Sequence, residues 1–299
     1  MRDQLEMLLK ELRYLKRVGL DSVYIADGRL DDLRATVAAF RSVRKGQAGN
    51  AELQEKAESR STRSPTHQSI TRSVSKVNVI PPPPNIEVPE GDKQMRWDWL
   101  RRRVLECSEC KKHVKPGKHI VFGVGNLNAD LFFCGEAPGA DEELQGEPFV
   151  GAAGQLLTKI IEATGLQRSE VYIGNIMNWR PETQTGYGNR PPTQEEIDFC
   201  LPYLCSQIEV VQPKIIIGLG RTAAKGLLGK AGEGRMSDLR GRWLEFQGVP
   251  LMITYHPSYL LHNNTLRTKR MIWEDMLMVM EKAAIPISEK QRNFFLPEQ

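Results

Sequence analysis

The sequence lacks a long apolar run, an export signal and a large excess of charge of either sign. No stretch approaches the roughly 20 apolar residues that a membrane-spanning helix needs. The start, Met1-Arg2-Asp3-Gln4, is polar and has no apolar centre of the kind found in signal peptides. We therefore expect a cytoplasmic protein without a membrane span. The net charge of +4 at pH 7 permits a polyanionic partner without requiring one.

Cysteine is also scarce. The five cysteines are odd in number, and in a chain without an export signal they argue against a disulfide framework. Two of them form the spacing Cys107-x-x-Cys110, which in an intracellular protein is typical of a metal, a cluster or a redox pair. The sequence has no second Cys-x-x-Cys pair.

The chain is long enough for one large domain with additional segments, since 40% of its 299 residues are hydrophobic. Residues 1–45 show two helical patterns and predict a short helical N-terminal element. Residues 46–93 are rich in Ser, Thr and charge and include four consecutive prolines, which predicts a disordered linker. Residues 94–299 are predicted to form the globular domain.

In the predicted globular domain, strand patterns alternate with helical patterns. Strands are predicted at residues 130–134, 171–175, 214–219 and 250–254, with 120–123 as a further possible strand. Helices are predicted at residues 97–107, 152–162, 193–211, 222–228 and 266–282. Such alternation implies a mostly parallel sheet covered on both faces. We predict an α/β fold, a three-layer αβα sandwich around a central, mostly parallel four-stranded sheet.

Polar side chains follow three of the predicted strands. Glu136, Asn175 and His256 each stand at a strand end. Open α/β sheets bind ligands at the carboxyl edge of their strands, so we expect these side chains to share one site. The loop after residue 134 is rich in glycine, which lets backbone N–H groups approach a ligand, and Glu142 adds a second carboxylate. Taken alone, this pattern predicts an active-site loop of unknown chemistry.

The motifs at these strand ends resemble those of a known family. They are Gly135-Glu136-Ala137-Pro138-Gly139, Glu142, Gly146-x-Pro148-Phe149-Val150-Gly151-x-x-Gly154, Asn175, Asn189-Arg190-x-Pro192 and His256-Pro257-Ser258. In order and spacing the sequence from about Cys107 to Glu281 closely resembles the uracil-DNA glycosylase superfamily, of the type usually called family 4. The resemblance implies a catalytic domain that hydrolyses the N-glycosidic bond of uracil in DNA and leaves an abasic site, as in base excision repair.

The resemblance also implies how the uracil would be bound. Phe149 would stack on the flipped base. Asn175 would accept from uracil N3–H and donate to O4, a pattern that rejects cytosine. His256 would donate to O2 and stabilise the departing anion.

The two carboxylates have a separate implied role. Glu136 and Glu142 would hold the water or balance the sugar cation, with Asn189 and His256 as candidate partners of Glu136. Ala137 stands where other branches of the superfamily place a catalytic Asp, so water positioning would depend on neighbouring groups.

Contacts to DNA are expected from two later stretches. By resemblance, the loop after His-Pro-Ser, with Ser258, Leu260 and Leu261, would insert an apolar wedge into the gap left by the base. Alternatively, the two leucines begin the apolar face of a helix. Arg240 and Arg242, which flank Gly241, are candidate phosphate contacts that give affinity without sequence choice.

One part of the motif set is incomplete. Members of this type generally carry four cysteines that hold a [4Fe-4S] cluster. Cys107, Cys110 and Cys200 match three of them, and Trp179 stands at the remaining position. An indole is no ligand for iron, so a cluster here would need an open or foreign fourth ligand, or another cysteine. The cluster is regarded as structural in this family, so its loss alone would not remove activity.

Two other functions stay open at this point. The same fold could excise another deaminated or damaged base, or it could be a DNA-binding protein that has lost catalysis. In each case the expected partner is DNA, with uracil-containing DNA favoured. We expect a monomer, and the N-terminal helices could recruit an unknown protein.

Overall fold

The computed structural model describes residues 80–181 and 188–296. The predicted N-terminal helices and the predicted linker up to residue 79 lie outside the described residues, so the domain boundaries stay a prediction. Residues 80–92 contain no helix or strand. Ile80 and Ile86 nevertheless pack against a hydrophobic cluster of the domain.

The described residues form a mixed α/β domain. The helices are α1 (Lys93–Glu106), α2 (Ser108–Lys112), α3 (Ala140–Gln145), α4 (Ala152–Ala163), α5 (Gln194–Val211), α6 (Gly220–Leu228), α7 (Met236–Leu239), α8 (Pro257–His262), α9 (Leu266–Lys282) and α10 (Glu289–Arg292). The strands are β1 (Val124–Gly125), β2 (Leu131–Gly135), β3 (Tyr172–Asn175), β4 (Ile215–Leu219), β5 (Trp243–Phe246) and β6 (Val249–Thr254). In the described part of the chain, no helix is both long and apolar enough to cross a membrane.

The sheet has six strands in the order β1-β3-β2-β4-β6-β5. Its four central strands are parallel and are the four that the sequence predicts. The predicted strand count was wrong because each edge carries one further antiparallel strand. Strand β5 joins β6 through Gln247 and Gly248, whose φ angles of 51° and 81° suit a two-residue hairpin. Residues 120–123 are not a strand; the edge strand is the two-residue β1.

Helices cover both faces of the sheet, as the three-layer prediction requires. Along β2, Phe132 and Cys134 belong to one hydrophobic cluster, and Leu131 and Phe133 belong to another. Helices α5 and α6 supply side chains to the first cluster, and α4 and α9 supply the second. Both faces of the central strands are therefore buried, which explains their unbroken apolar runs.

Helix α5 begins at the predicted capping box. The Thr193 hydroxyl accepts from the Glu196 N–H at 3.3 Å, and the Glu196 carboxylate accepts from the Thr193 N–H at 2.7 Å. Arg190 adds two hydrogen bonds to the same carboxylate, at 2.6 and 2.7 Å. This arrangement holds the start of the helix close to the segment that carries Asn189.

Candidate active site

A cavity of about 420 Å³ lies at the carboxyl ends of the parallel strands, and we call it the strand-end cavity. Each parallel strand contributes a lining residue at or just after its end: Glu136 (β2), Asn175 (β3), Gly220 (β4) and His256 (β6). The residues predicted from the sequence that line it are Glu136, Ala137, Glu142, Phe149, Asn175, Asn189, His256 and Ser258. The fold therefore brings together side chains that are up to 122 positions apart, from 136 to 258.

Asn175 presents an unsatisfied acceptor at this cavity. The residue ends β3 opposite Gly135, and only 6% of it is exposed. Its Oδ1 is buried and has no hydrogen-bond partner among the described residues. A buried unpaired acceptor costs about 1–3 kcal/mol, which a bound N–H donor would relieve. Gly135 leaves the required space, since a Cβ there would lie 2.4 Å from Asn175 Oδ1.

Phe149 forms an aromatic wall of the cavity. Its ring centroid lies 5.6 Å from that of His256, with 31° between the planes. The backbone of Phe149 has a φ of 55°, in the left-handed region. Gly154 permits this conformation, because a Cβ on Gly154 would lie 1.9 Å from the Phe149 carbonyl oxygen. Such strain costs about 1–3 kcal/mol and is typical of functional sites.

His256 is held as a neutral donor. It is the N-cap of α8, and its Nδ1 accepts from the Ser258 N–H at 3.2 Å. Burial lowers the pKa of His256 to about 4, opposed by the nearby negative charge of Glu142. Because Nδ1 is an acceptor and the ring is neutral at pH 7, the ring proton is on Nε2. The side chain can therefore donate one hydrogen bond from Nε2.

Glu136 sits in a partly buried position after β2. Burial raises its pKa above the ordinary value, and a hydrogen bond from the Thr222 hydroxyl opposes that shift. The resemblance suggested Asn189 and His256 as candidate partners of Glu136, and this stays a prediction. Asn189 accepts from Arg180 Nε at 2.7 Å.

The second predicted carboxylate is committed to the loop. Glu142 Oε2 accepts from the Gly139 N–H at 3.0 Å. Its Oε1 accepts from the N–H groups of Val150 and Gly151, at 3.0 and 2.9 Å. These three bonds tie the start of α3 to the segment that follows Phe149. The geometry therefore gives Glu142 a positioning function in the loop, with its charge directed toward His256.

The two predicted phosphate contacts differ in their surroundings. Arg240 pairs with both oxygens of Asp275, at 3.0 and 3.1 Å, and its guanidinium lies 5.7 Å from the Tyr255 ring centroid. Asp275 is fully buried and also accepts from the Thr254 hydroxyl at 2.6 Å. Arg240 thus stabilises the end of β6 from inside the protein. Arg242 is exposed, and its contact with a phosphate stays a prediction.

The loop after His256 is helical. Leu260 lies in α8 with 6% exposure, as the helix-core alternative expected. Leu261 is 47% exposed, and Tyr259 is 39% exposed and stacks on Tyr255 at 4.7 Å. Tyr259 and Leu261 are therefore the large apolar side chains of α8 that are exposed.

The sequence analysis missed the contribution of the third parallel strand. Gly220 and Arg221, directly after β4, line the cavity, and Thr222 bonds Glu136. Gly220 has a φ of 87°, and a Cβ there would lie 2.9 Å from His256 Cβ. The strand-end rule that found the other residues would also have found these, because they follow an apolar run in the same way.

The three matched cysteines meet away from the cavity, together with Trp179; we call these four residues the cysteine corner. Cys110 and Cys200 are fully buried in one hydrophobic cluster with Trp179. The Cys110 thiol donates to the Cys107 sulfur, which lowers the pKa of Cys107 to about 5 despite partial burial. The nearby Tyr203 hydroxyl also lowers the pKa of Cys107.

The cysteine corner does not fit an all-cysteine iron–sulfur cluster. A [4Fe-4S] cluster takes four thiolates, and the corner has three. The other two cysteines, Cys134 and Cys205, belong to a different hydrophobic cluster of the fold. Among residues 80–181 and 188–296, no group of three or more His, Cys, Asp or Glu side chains could hold a metal ion.

Comparison with known proteins agrees with the geometry. The sequence model of the uracil DNA glycosylase superfamily matches residues 122–277. The type-4 uracil-DNA glycosylase of Archaeoglobus fulgidus is 40% identical over 176 residues, which are 57% of this chain and 85% of the relative. The type-4 enzyme of Thermotoga maritima is 39% identical over 179 residues, 59% and 89% of the two chains. The type-5 uracil-DNA glycosylase of Pyrobaculum aerophilum is 29% identical over 218 residues, 63% and 92%.

The matched range contains all six strands of the sheet and every residue named above at the strand-end cavity. It covers more than half of the chain. The chain therefore belongs to the uracil DNA glycosylase superfamily.

Proposed function

We propose that this protein is a uracil-DNA glycosylase, which hydrolyses the bond between uracil and deoxyribose in DNA and leaves an abasic site. Membership of the superfamily and the similarity to type-4 enzymes support this function. The observation that carries it is the unpaired Asn175 Oδ1, buried at a cavity that also contains Phe149 and His256. A buried acceptor beside an aromatic ring and a neutral donor suits a flat base with an N–H between two carbonyls.

The base would first leave the DNA helix, since side chains cannot reach it in the stack. Phe149 then stacks on its face and offsets part of the unstacking cost. Asn175 Oδ1 accepts from N3–H, and the same amide donates to O4. Cytosine presents an acceptor at N3 and a donor at N4. It would therefore place an acceptor opposite Asn175 Oδ1 and a donor opposite Asn175 Nδ2.

His256 would act on the leaving group. As the C1′–N1 bond breaks, its electron pair passes to the base, and negative charge spreads to O2. The Nε2–H donor stabilises this charge. Because burial keeps His256 neutral, the site holds a fixed donor without the cost of a buried cation.

Glu136 would act on the sugar side. Water forms the new bond to C1′ and loses a proton, which neutralises the departed uracil anion, while the carboxylate of Glu136 orients the water and balances the cationic sugar. Its ionised form performs this task, and the Thr222 hydroxyl supports that form. Glu142 contributes indirectly, because it fixes the backbone on both sides of Phe149.

The DNA backbone would run past the mouth of the cavity. Arg221 lines the cavity and is exposed. Arg242 is also exposed and directly precedes β5. Ser258 supports the His256 ring, and Tyr259 and Leu261 would occupy the gap left by the base.

The remaining proposals concern the setting of the enzyme. We propose that it acts in the cytoplasm as a monomer, and that residues 1–45 recruit a protein partner. Removal of residues 1–79, followed by a pull-down from cell extract beside the full-length protein, would test the last of these proposals.

The activity is tested with an end-labelled oligonucleotide that contains one uracil, followed by alkaline cleavage of abasic sites. We expect cleavage at the uracil and an intact strand when thymine, cytosine or hypoxanthine replaces it. An intact uracil strand at a large excess of enzyme would contradict the proposal. Cleavage at hypoxanthine in preference to uracil would reassign the substrate.

A further inference from the structure

The cysteine corner joins three segments that are distant in the chain. Helix α2 and the residue before it contribute Cys107 and Cys110, the loop after β3 contributes Trp179, and α5 contributes Cys200. A cluster held by four cysteines would link these segments through iron and sulfide. Because only three thiols are present, other contacts must hold these three segments together.

A column of rings runs through the same three segments. The His113 ring, at the end of α2, stacks on Trp179 with centroids 4.6 Å apart and 11° between the planes. Trp179 meets Phe199 at 5.9 Å, and Phe199 meets Tyr203 at 6.2 Å. Contacts between aromatic rings at these distances and angles are favourable.

The His113 end of this column is anchored by Glu109. His113 Nε2 lies 3.1 Å from Glu109 Oε1, and Glu109 is 6% exposed. Lys112 binds the other carboxylate oxygen at 2.6 Å. Trp179 itself is 1% exposed, so the space inside the cysteine corner is filled by its ring. The buried indole Nε1 has no partner among the described residues, and as a donor it adds no metal ligand.

We infer that this chain folds without an iron–sulfur cluster, and that the indole of Trp179 occupies the position from which a fourth thiolate would complete one. The ring column then supplies the links between α2, the loop after β3 and α5. This inference goes beyond the proposed function, and its readouts are iron content and melting temperature, so it fails or holds independently of glycosylase activity.

The first test measures iron in the full-length protein. The protein is purified without oxygen, incubated with ferrous iron, sulfide and a thiol reductant, and desalted before iron and acid-labile sulfide are assayed. We expect far less than one iron per chain and no visible charge-transfer absorption. About four irons per chain with matching sulfide would overturn the inference.

The second test supplies the missing ligand. After the same treatment, Trp179→Cys is expected to gain about four irons per chain and the brown colour of a cluster. Val104→Cys is the matched control, because it adds a thiol to the same hydrophobic cluster at another fully buried position. Iron uptake by both variants, or by neither, would contradict the position assigned to Trp179.

The third test concerns stability. An iron chelator should leave the melting temperature of the wild-type protein unchanged, and a chelator-dependent fall would count against the inference. Trp179→Ala should lower the melting temperature by on the order of 10 °C, because it opens a large cavity in the ring column. Trp179→Phe should lower it much less, since Phe keeps a ring in the stack and removes the unpaired N–H. Equal melting temperatures for Trp179→Ala and the wild type would show that the indole does not hold the segments together.

Discussion

The strand-end cavity and the cysteine corner are both built from distant segments, but they differ in what determines their residues. At the cavity, Asn175 and His256 present specific donors and acceptors toward open space. At the corner, the Trp179 ring fills the interior and meets other rings. Chemistry requires particular atoms at particular places, whereas packing requires volume and shape. The comparison therefore teaches that the two regions tolerate substitution by different rules.

The comparison predicts that changes at the cavity reduce activity and that changes at the corner reduce stability. The largest effect is expected for His256→Ala, which removes the donor to the departing base. The value of kcat/KM for uracil excision should fall by about 100- to 1,000-fold. His262→Ala, at an exposed position of the same short helix, is the control and should stay within about twofold. Equal losses in the two variants would remove His256 from the reaction.

Asn175→Asp should lower uracil excision by about 100-fold, because an ionised carboxylate cannot donate to O4 and repels it. The control is Asn128→Asp, which changes an exposed residue before β2 and should not show this loss of uracil excision. Single-turnover kinetics on a uracil oligonucleotide measure both variants. Unchanged kinetics for Asn175→Asp would show that its amide does not contact the base.

The same substitution at two phenylalanines separates the two regions. Phe149→Leu should reduce uracil excision by roughly 10- to 100-fold through lost stacking. Phe199→Leu, in the ring column, should leave excision unchanged when assayed well below the melting temperatures of both variants, while lowering the free energy of unfolding by about 1 kcal/mol. Kinetics and denaturant melts on both proteins provide the measurement. Loss of activity in Phe199→Leu without a change in stability would contradict the distinction between the strand-end cavity and the ring column.

The smallest expected effect is on the pH profile. Burial raises the pKa of Glu136, so its carboxylate is protonated at a pH above the usual range for Glu, and activity should fall as the pH drops through that raised value. His256, with a pKa of about 4, stays neutral across this range and adds no loss until the pH approaches 4. Glu136→Gln should be slower at neutral pH and should lack this acid limb. An acid limb that persists in Glu136→Gln would assign it to another group.

Sequence patterns predicted the elements better than the pairings. Helix α9 has the predicted bounds, and the four parallel strands were found because their residues are apolar on both faces. The edge strand β5 was missed, because an antiparallel edge strand such as Trp243–Phe246 is only partly buried and carries a weaker apolar pattern. The turn at Gln247-Gly248 was the signal that could have found it.

At the site, sequence predicted which residues meet and did not predict what each one binds. The sequence analysis gave Glu142 a catalytic role and Arg240 a phosphate contact, and the structure commits both side chains to internal partners. Whether a carboxylate faces three backbone N–H groups or a substrate depends on the path of the loop. Whether an arginine meets Asp275 or a phosphate depends on how α9 packs on β6. Neither contact produces a periodic sequence pattern from which it could be predicted.

The central claim is that Asn175, Phe149 and His256 hold one extruded uracil while its bond to the sugar is hydrolysed. The most direct measurement is the amount of free uracil released from uracil-containing DNA by the full-length protein, by mass spectrometry, beside the His256→Ala variant. We expect one free uracil for each abasic site formed by the wild-type protein, and uracil release about 100- to 1,000-fold slower for the His256→Ala variant. Absence of free uracil from the wild-type reaction, or equal release by both proteins, would contradict it.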